Sequence, residues 1–263
     1  MTAVDFITML FCRVDDEIGD RAKHSQGKLH PSEIVTIGML FALKGVGQRA
    51  FYRWLVANHH ALFPNLPSRT RLFRTLKVHR ADAEDFLAAP SLLGVIDSYG
   101  IELIHPRREG RSEQQIGKKG KSNHRWIVGG KLSVVLNHLG QIVDWDCDTA
   151  NVYDGSAFQR LVDNFKNDMV IFSDTGWEKV DWHPTNLRIC KRGEWNVRML
   201  VETVFSMLTR ICHTKHMAHR IWSYFESRLC YTLCLFNLLL DLQGLEPDHN
   251  GFVALSIADF DIL

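Results

Sequence analysis

The stretch "LLGVIDSYGIEL" (residues 92–103) decides how the fold is predicted. It is an apolar run with the length of a buried strand, and it carries one acidic residue, Asp97, in its middle. The residues before it show the periodicity and start signals of helices, whereas most of the segments after it are typical of strands. We therefore expect an N-terminal helical domain at residues 1–90, followed by a domain of a different class.

Four further strands are predicted after this run. They lie at residues 125–137, 142–150, 168–177 and 187–190, with helices at 154–166 and 195–211. The first three strands follow each other without a helix and are expected to be antiparallel, whereas the later ones are expected to be parallel. This order predicts an α/β fold with a mixed sheet flanked by helices over residues 91–241. A Gly- and Lys-rich loop is expected after the first strand, and residues 242–263 form an acidic tail.

Composition and local pattern indicate the compartment. Apolar residues make up 46% of the chain and charged residues 23%, as in ordinary globular proteins. The longest apolar stretch, residues 229–240, is too short to span a bilayer as a helix. The N-terminus lacks the basic region and cleavage site of a secretory signal. The six cysteines contain no C-x-x-C pair, which is typical of buried thiols in a reducing compartment. We expect a cytoplasmic protein without membrane contact.

The charge of the chain is unevenly distributed, although its net value is only +1. Residues 66–80 carry five Lys or Arg and no acid, residues 105–125 carry seven against two acids, and residues 186–228 carry eight against three. The ends of the chain are acidic. Clusters of this kind favour a polyanionic partner such as nucleic acid. A set of solvated surface charges is the alternative, and the charges alone do not separate the two.

Three carboxylates stand where an apolar environment makes a charge costly. Asp97 lies inside a predicted strand, Asp174 lies at the end of another, and Glu202 lies on the helix that follows. A bound divalent cation compensates such charges, and oxygen ligands suit Mg²⁺ or Mn²⁺. Taken singly, each has an ordinary explanation, such as a turn residue or, for Glu202, a pair with Arg198 one helical turn away. A second acidic set, Asp144, Asp146 and Asp148, alternates along one strand face and is expected to be solvated, and a position of one of them near the metal site stays open.

At this point the motifs resemble a known family. "SDTGW" (173–177) and "VETVFSML" (201–208), together with the order Asp97, Asp174, Glu202, resemble the Asp-Asp-Glu (DDE) transposases of bacterial insertion sequences, which have a ribonuclease-H-like core. The family's Tyr-Arg-Glu-Lys signature maps onto Trp195, Arg198, Glu202 and Thr209. The resemblance covers roughly residues 30–240.

The resemblance implies an enzyme that cuts DNA with divalent metal ions. Asp97, Asp174 and Glu202 would be the catalytic residues and would hold two Mg²⁺ or Mn²⁺ ions for phosphoryl transfer. The substrates would be double-stranded DNA, first the terminal inverted repeats of the element and then its target. No covalent protein intermediate is needed. A homodimer is expected because two element ends must be joined, and the protein would be associated with the nucleoid when it is bound to DNA.

The basic residues receive DNA-binding roles in this hypothesis. Phosphate contacts near the carboxylates are assigned to Arg198, Lys118, Lys119, Lys121, Arg125, Lys131, Lys191 and Arg192. Recognition of the terminal repeats is assigned to the basic helix of the N-terminal domain, with Arg69, Arg71, Arg74 and Lys77. Trp177 and Trp195 could stack on an unpaired base, although burial in the core is the more ordinary role for a tryptophan.

The chain departs from the family pattern at two positions of the signature. Trp195 replaces the Tyr and Thr209 replaces the Lys, so Arg210 is expected to supply the lost phosphate contact. Only 27 residues separate Asp174 from Glu202, which predicts a compact core without an inserted domain. Two other functions stay open at this point. One is a different ribonuclease-H-like nuclease, and the other is a non-catalytic DNA-binding protein descended from a transposase.

Overall fold

The computed structural model describes residues 2–122, 125–175, 184–190, 197–217, 219–244, 247, 253 and 255–256, the side chains of residues 154–157, 197–199 and 216 excepted. The helices are α1 (Ala3–Ile18), α2 (Pro31–Lys44), α3 (Gln48–His59), α4 (Arg69–Val78), α5 (Asp154–Asn164), α6 (Val197–Arg210) and α7 (Trp222–Gln243). The strands are β1 (Leu93–Ile104), β2 (Lys118–Ser122), β3 (Arg125–Asn137), β4 (Ile142–Thr149), β5 (Val170–Ser173) and β6 (Leu187–Ile189).

Local sequence signals set the limits of the N-terminal helices. The backbone N–H of Asp5 donates to the Thr2 hydroxyl, while the Asp5 carboxylate accepts from the Thr2 N–H, which forms a capping box at α1. Helix α2 has Pro31 in its first turn and ends at Gly45, whose φ of 61° is in the left-handed region that favours glycine. Pro31 and Gly45 therefore mark the two ends of α2.

The strands form one mixed sheet with the order β2-β3-β1-β5-β6, and β4 also pairs with β3. Strands β1, β2 and β4 are antiparallel to β3, whereas β5 pairs in parallel with both β1 and β6. Helices pack on the sheet, so the predicted α/β architecture with antiparallel strands followed by parallel ones is confirmed.

Strand β2 corrects the sequence interpretation, because part of the predicted Gly- and Lys-rich loop is a strand. Residues 118–122 read "KKGKS" and carry no apolar residue, so hydrophobic alternation could not reveal them. They form a strand because their backbone pairs with residues 125–129 of β3 in an antiparallel hairpin. Lys118, Lys119 and Lys121 are therefore held on an edge strand.

The two faces of the sheet are covered by different helices. Along β1, Val95 belongs to a buried cluster with Val201 and Val204 of α6, and the next residue, Ile96, belongs to a cluster with Phe158 of α5. Side chains alternate along a strand, so Val95, Asp97 and Tyr99 share one face. We call this the α6 face, and we call the opposite one the α5 face.

Helix α7 lies between the N-terminal helices and the sheet. Tyr231, Cys234 and Leu238 belong to a buried cluster with residues of α1 to α4, whereas Leu229 and Phe236 belong to the cluster on the α6 face. This explains why the apolar run at residues 229–240 has no polar stripe: both sides of the helix are buried. The predicted limits of the domains stay a prediction.

In the described part of the chain, no single helix is long and apolar enough to cross a membrane. Helices α2 and α3 meet the criteria of length and composition only as a pair, and they are bent by 116° at their junction.

Candidate active site

The first two carboxylates stand on neighbouring parallel strands. Strands β1 and β5 pair in a register that joins Gly94 to Ile171 and Val95 to Phe172. If this register continues for two residues past its last pair, Asp97 and Asp174 come opposite each other, and alternation predicts both side chains on the α6 face. Asp174 follows directly after β5 and is exposed. The site therefore has its first pair of oxygen donors at one end of the parallel strands.

The Asp97 carboxylate is half-buried, and its Oδ1 accepts a hydrogen bond of 2.7 Å from the backbone N–H of Ser98. A hydrogen bond to the charged form stabilises a carboxylate in a strand that is otherwise apolar. Asp97 is thus partly withdrawn from solvent while Asp174 beside it is not.

The third carboxylate lies on the helix that covers the same face. Glu202 is an exposed residue of α6, and Phe205 follows it by almost one turn. The Phe205 ring stacks on that of Tyr99, with 5.0 Å between ring centroids and 25° between planes. Tyr99 comes two residues after Asp97 on the same face of β1, so Glu202 and Asp97 are both close neighbours of one packed aromatic pair.

The three carboxylates share a face of the sheet but are not gathered around one point. Among the residues described, no group of three or more His, Cys, Asp and Glu side chains is arranged to hold a metal ion. The donor chemistry nevertheless fits Mg²⁺ or Mn²⁺, since carboxylate oxygens are hard ligands and two of the three groups are accessible to solvent. Their role as metal ligands stays a prediction.

Thr209, which stands in the position of the family's Lys, packs toward the sheet. Its Oγ1 lies 2.9 Å from the Oη of Tyr99, in a hydrogen bond that joins α6 to β1. Arg210, the next residue, is exposed at the end of α6. Thr209 is therefore engaged with the sheet while Arg210 is exposed to solvent, and the phosphate contact assigned to Arg210 stays a prediction.

The basic residues around the sheet are divided between its two faces. Lys119 pairs with Val128 and Lys121 with Trp126, and alternation along β3 places all four on the α6 face. Lys118, Arg125 and Lys131 alternate onto the other side. The Lys131 Nζ donates to the Val152 carbonyl at 3.5 Å, just before α5 begins. Of the cations predicted on β2 and β3, only Lys119 and Lys121 are therefore on the carboxylate side.

Some predicted contacts cannot be placed. Trp177, Lys191, Arg192 and Trp195 lie outside the described residues. Arg198 lies in the first turn of α6, one turn before Glu202, as the sequence predicts.

Helix α4 exposes most of its basic residues. Arg69, Arg71 and Arg74 are exposed, and the Arg71 guanidinium donates to the Gln26 carbonyl at 3.1 Å. Lys77 is half-buried, with its Nζ 5.3 Å from the ring centroid of Tyr224. The opposite side of α4 packs into the N-terminal core. This gives α4 the amphipathic shape expected of a helix that contacts DNA, and its role in recognising terminal repeats stays a prediction.

The second acidic set lies away from the carboxylate site. Asp144, Asp146 and Asp148 pair with Val135, Ser133 and Lys131 of β3, which places them on the α5 face. Asp146 forms an ion pair with Arg160 of α5, and Asp144 accepts a hydrogen bond from Asn164. These residues are partly covered by α5, so the sheet itself separates them from Asp97.

Two aromatic residues near the site were not singled out from the sequence. The spacing of Tyr99, two residues after Asp97, was a usable signal because such residues share a strand face. Trp126 stands in the apolar run of β3 and would be assigned to the core from its pattern, yet 58% of it is exposed. Its exposure depends on where the covering helices end, which local sequence does not encode.

Comparison with known proteins adds one finding to this geometry. Residues 88–188 match the family model of the transposase DDE domain. This part of the chain is similar to a transposase DDE domain. The match begins just before β1 and ends within β6, so the matched part includes Asp97 and Asp174, while Glu202 lies beyond it. A transposase DDE domain is in general the domain of a DNA-cutting enzyme. No curated protein and no solved structure matches the chain.

Proposed function

We propose that the chain is the DDE transposase of a bacterial insertion sequence, with a ribonuclease-H-like core. It would cleave DNA at the ends of its element and transfer the strands into target DNA. The observation that carries this proposal is the parallel pairing of β1, which contains Asp97, with β5, which ends directly before Asp174, inside the segment that matches the DDE domain. Glu202 lies on α6, the helix that packs on the sheet after these strands. The mixed order of the strands and the helix α6 after them support the proposed core.

Asp97, Asp174 and Glu202 would hold two Mg²⁺ or Mn²⁺ ions. Bound in such a site, the metal ions activate a water and stabilise the leaving oxygen of a phosphate. Glu202 would join the two aspartates by rotation of its long and exposed side chain, while the packing of Phe205 on Tyr99 keeps α6 in place. The half-buried position of Asp97 and the contact of Tyr99 with Thr209 would fix the first carboxylate relative to this helix.

DNA would approach the α6 face from its exposed edge. Lys119 and Lys121 lie on that face, and Arg210 is exposed at the end of α6, so these cations can neutralise phosphates near the carboxylates. The exposed arginines of α4 would recognise the terminal inverted repeats. A homodimer would join the two element ends, and the protein would act in the cytoplasm on nucleoid DNA.

The experiment is cleavage of a labelled duplex that carries the ends of the genomic segment encoding this chain. Wild type and Glu202→Gln are compared in Mg²⁺, with Asp148→Asn as a matched carboxylate on the α5 face. The proposal expects nicking at the element end by wild type and by Asp148→Asn, with loss of nicking in Glu202→Gln while its DNA binding persists.

Equal cleavage by wild type and Glu202→Gln would contradict the role of Glu202, which would then be a surface charge next to Arg198. Binding without cleavage by any of the three proteins would support the alternative, a DNA-binding protein that descends from a transposase.

A further inference from the structure

The β2–β3 hairpin presents an exposed indole among cations. Trp126 is 58% exposed. Lys121 is its direct partner across the hairpin, and the Nζ of Lys119 lies 5.8 Å from the centroid of its ring. Lys118 and Arg125 are exposed on the same hairpin. What sets Trp126 apart from an ordinary exposed apolar residue is the pair of lysines beside its ring, a combination that suits a flat anionic ligand.

This indole lies on the same face of the sheet as the carboxylates. Val134 is the register partner of Asp97, and Trp126 is separated from Val134 by an even number of residues on β3. Helix α7 begins at Trp222, which lies against Gly130. Val128, the next residue on this face, is still buried, whereas Trp126 two residues further toward the hairpin end is exposed.

The hairpin is held firmly against its neighbours by close backbone contacts. A Cβ atom at Gly120 would collide with the Ala150 carbonyl, and one at Gly129 would collide with the Ile101 carbonyl. Such close approach is possible only for glycine, and it fixes β2 and β3 relative to β1 and β4. Trp126 is therefore presented in a defined position, which lowers the entropy lost when a ligand binds.

The chemistry of this surface favours unpaired DNA bases over a protein partner. Flat indole rings stack on bases, and this is worth most where the bases are not already stacked in a duplex. Lys119 and Lys121, on the same face as the indole, would neutralise phosphates, whereas they would be costly to bury in an apolar protein interface. Lys119 also pairs with Glu109 at 2.9 Å, so Lys121 is the less neutralised of the two cations on this face.

We infer that Trp126, with Lys119 and Lys121, forms a stacking platform for unpaired bases of the DNA strand that leads to the carboxylate site. The inference rests on the proposed function, since it takes DNA to be the substrate of that site. It goes beyond that function because it names the state of the DNA: the strand that crosses the α6 face toward the site is opened, and at least one base leaves the duplex to contact the hairpin.

The experiment measures binding of two labelled DNA probes by fluorescence anisotropy, in the full chain without divalent metal. One probe is an oligothymidylate of about 20 nucleotides, and the other is a blunt duplex of the same length. Trp126→Ala is expected to raise the Kd for the oligothymidylate by about 5- to 150-fold, the range for loss of one stacked base, and to change the Kd for the duplex much less.

Two further variants make the result interpretable. Trp126→Phe keeps an aromatic ring and is expected to retain most of the affinity for the oligothymidylate. Tyr153→Ala removes an aromatic residue that is 63% exposed at the start of α5 and is expected to bind both probes like wild type. Far-ultraviolet circular dichroism checks that each variant is folded.

Several results would overturn the inference. Equal losses for both probes would mean a general contact to the phosphate backbone, and unchanged affinity for both would remove Trp126 from the DNA surface. A change of oligomeric state with unchanged DNA binding would assign the indole to a protein interface. In each of these cases wild type still binds and cleaves DNA, so the proposed function survives. If wild type binds neither probe, the proposed function fails together with the platform.

Discussion

Polar groups are buried and hydrogen-bonded in helix α7 but largely exposed at the carboxylate edge of the sheet, the region of Asp97, Asp174 and Glu202. In α7, the buried Tyr231 hydroxyl donates to the Leu76 carbonyl at 3.0 Å, and the buried Asn237 amide donates to the Phe86 carbonyl at 2.9 Å. At the carboxylate edge, Asp174 and Glu202 are exposed. Polar groups in α7 thus join this helix to the N-terminal helical region, whereas those at the edge are exposed to solvent. Stability and chemistry should therefore respond to different substitutions.

The largest effect is expected at the edge. Asp97→Asn and Asp174→Asn each remove one charged donor of the site while they keep the shape of the side chain. DNA cleavage in Mg²⁺ should fall at least about 100-fold in each, the upper end for residues that only support a metal ligand. The free energy of unfolding, measured in urea, should stay within experimental error of wild type.

Because the two aspartates act as one unit, the double variant should be barely slower than either single variant. Losses that multiply in the double variant would contradict a common site. If the aspartate variants unfold much more easily than wild type, their loss of cleavage would reflect lost stability. The carboxylate edge would then not differ from α7 in its role.

In the α7 region the expected effect is on stability. Gly38 of α2 lies against Tyr231, and a Cβ there would be 2.6 Å from the ring Cζ. The ring cannot move away without loss of its hydrogen bond to Leu76. Gly38→Ala should therefore lower the free energy of unfolding by about 1–3 kcal/mol, although alanine favours a helix. Cleavage per folded molecule should not change.

A second substitution tests the cause of this loss. In the double variant Gly38→Ala with Tyr231→Leu, the smaller side chain makes room for the new methyl group. The combined loss should be smaller than the sum of the two single losses. Strict additivity would show that the Tyr231 ring is not what resists the methyl group.

A pH effect of intermediate size is expected beside α7. Burial, together with the positive charge of Arg228, lowers the pKa of His219 to about 4. An unfolded histidine has a pKa of about 6.5, so between these values the unfolded chain binds the additional proton. The free energy of unfolding should therefore be highest above pH 6.5 and fall by about 1 kcal/mol per pH unit as the pH drops toward 4.

Urea titrations of wild type and His219→Gln across this range isolate the contribution of His219 from that of the carboxylates. The variant should show a shallower slope. Parallel slopes would mean that His219 is not held neutral in the folded protein, and the contrast between the buried region and the exposed edge would be weaker.

The smallest effect is expected at the hydrogen bond that joins β1 to α6. Tyr99→Phe removes the hydrogen bond to Thr209 but keeps the ring stacked on Phe205. The free energy of unfolding should fall by about 0.5–1.5 kcal/mol, and Thr209→Val should give a similar loss. Cleavage should decrease far less than in the aspartate variants. A loss of cleavage as large as theirs would place the Tyr99 hydroxyl among the reacting groups.

Much of the sheet could be predicted because its strands carry their own apolar pattern. The run around Asp97 and the strand that stops before Asp174 are local signals, and β1 and β5 pair in parallel as the order of elements predicts. Strand β2 escaped prediction because its residues have no apolar alternation and its structure depends on the pairing with β3. The exposure of Trp126 escaped prediction as well, because it stands in an apolar run and only the tertiary structure leaves it uncovered.

The arrangement of the carboxylates shows a further limit of local sequence. The motifs predicted Glu202 on a helix, and the residue lies in α6. This helix packs on the sheet through Phe205, whose ring stacks on that of Tyr99. The separation of the aspartates at 144–148 from the site was not predicted, because only the pairing with β3 decides which face they occupy.

The most direct test replaces one oxygen donor by sulfur. Asp97→Cys is assayed for cleavage of the labelled element-end duplex in Mg²⁺ and again in Mn²⁺, with Asp148→Cys as the control on the α5 face. A thiolate is a poor ligand for the hard Mg²⁺ ion and a better one for Mn²⁺. If Asp97 holds the metal, Asp97→Cys should be inactive in Mg²⁺ and partly active in Mn²⁺, whereas the control should cleave in both. Equal activity of Asp97→Cys in the two metals, relative to wild type, would contradict the metal site on which the proposed function depends.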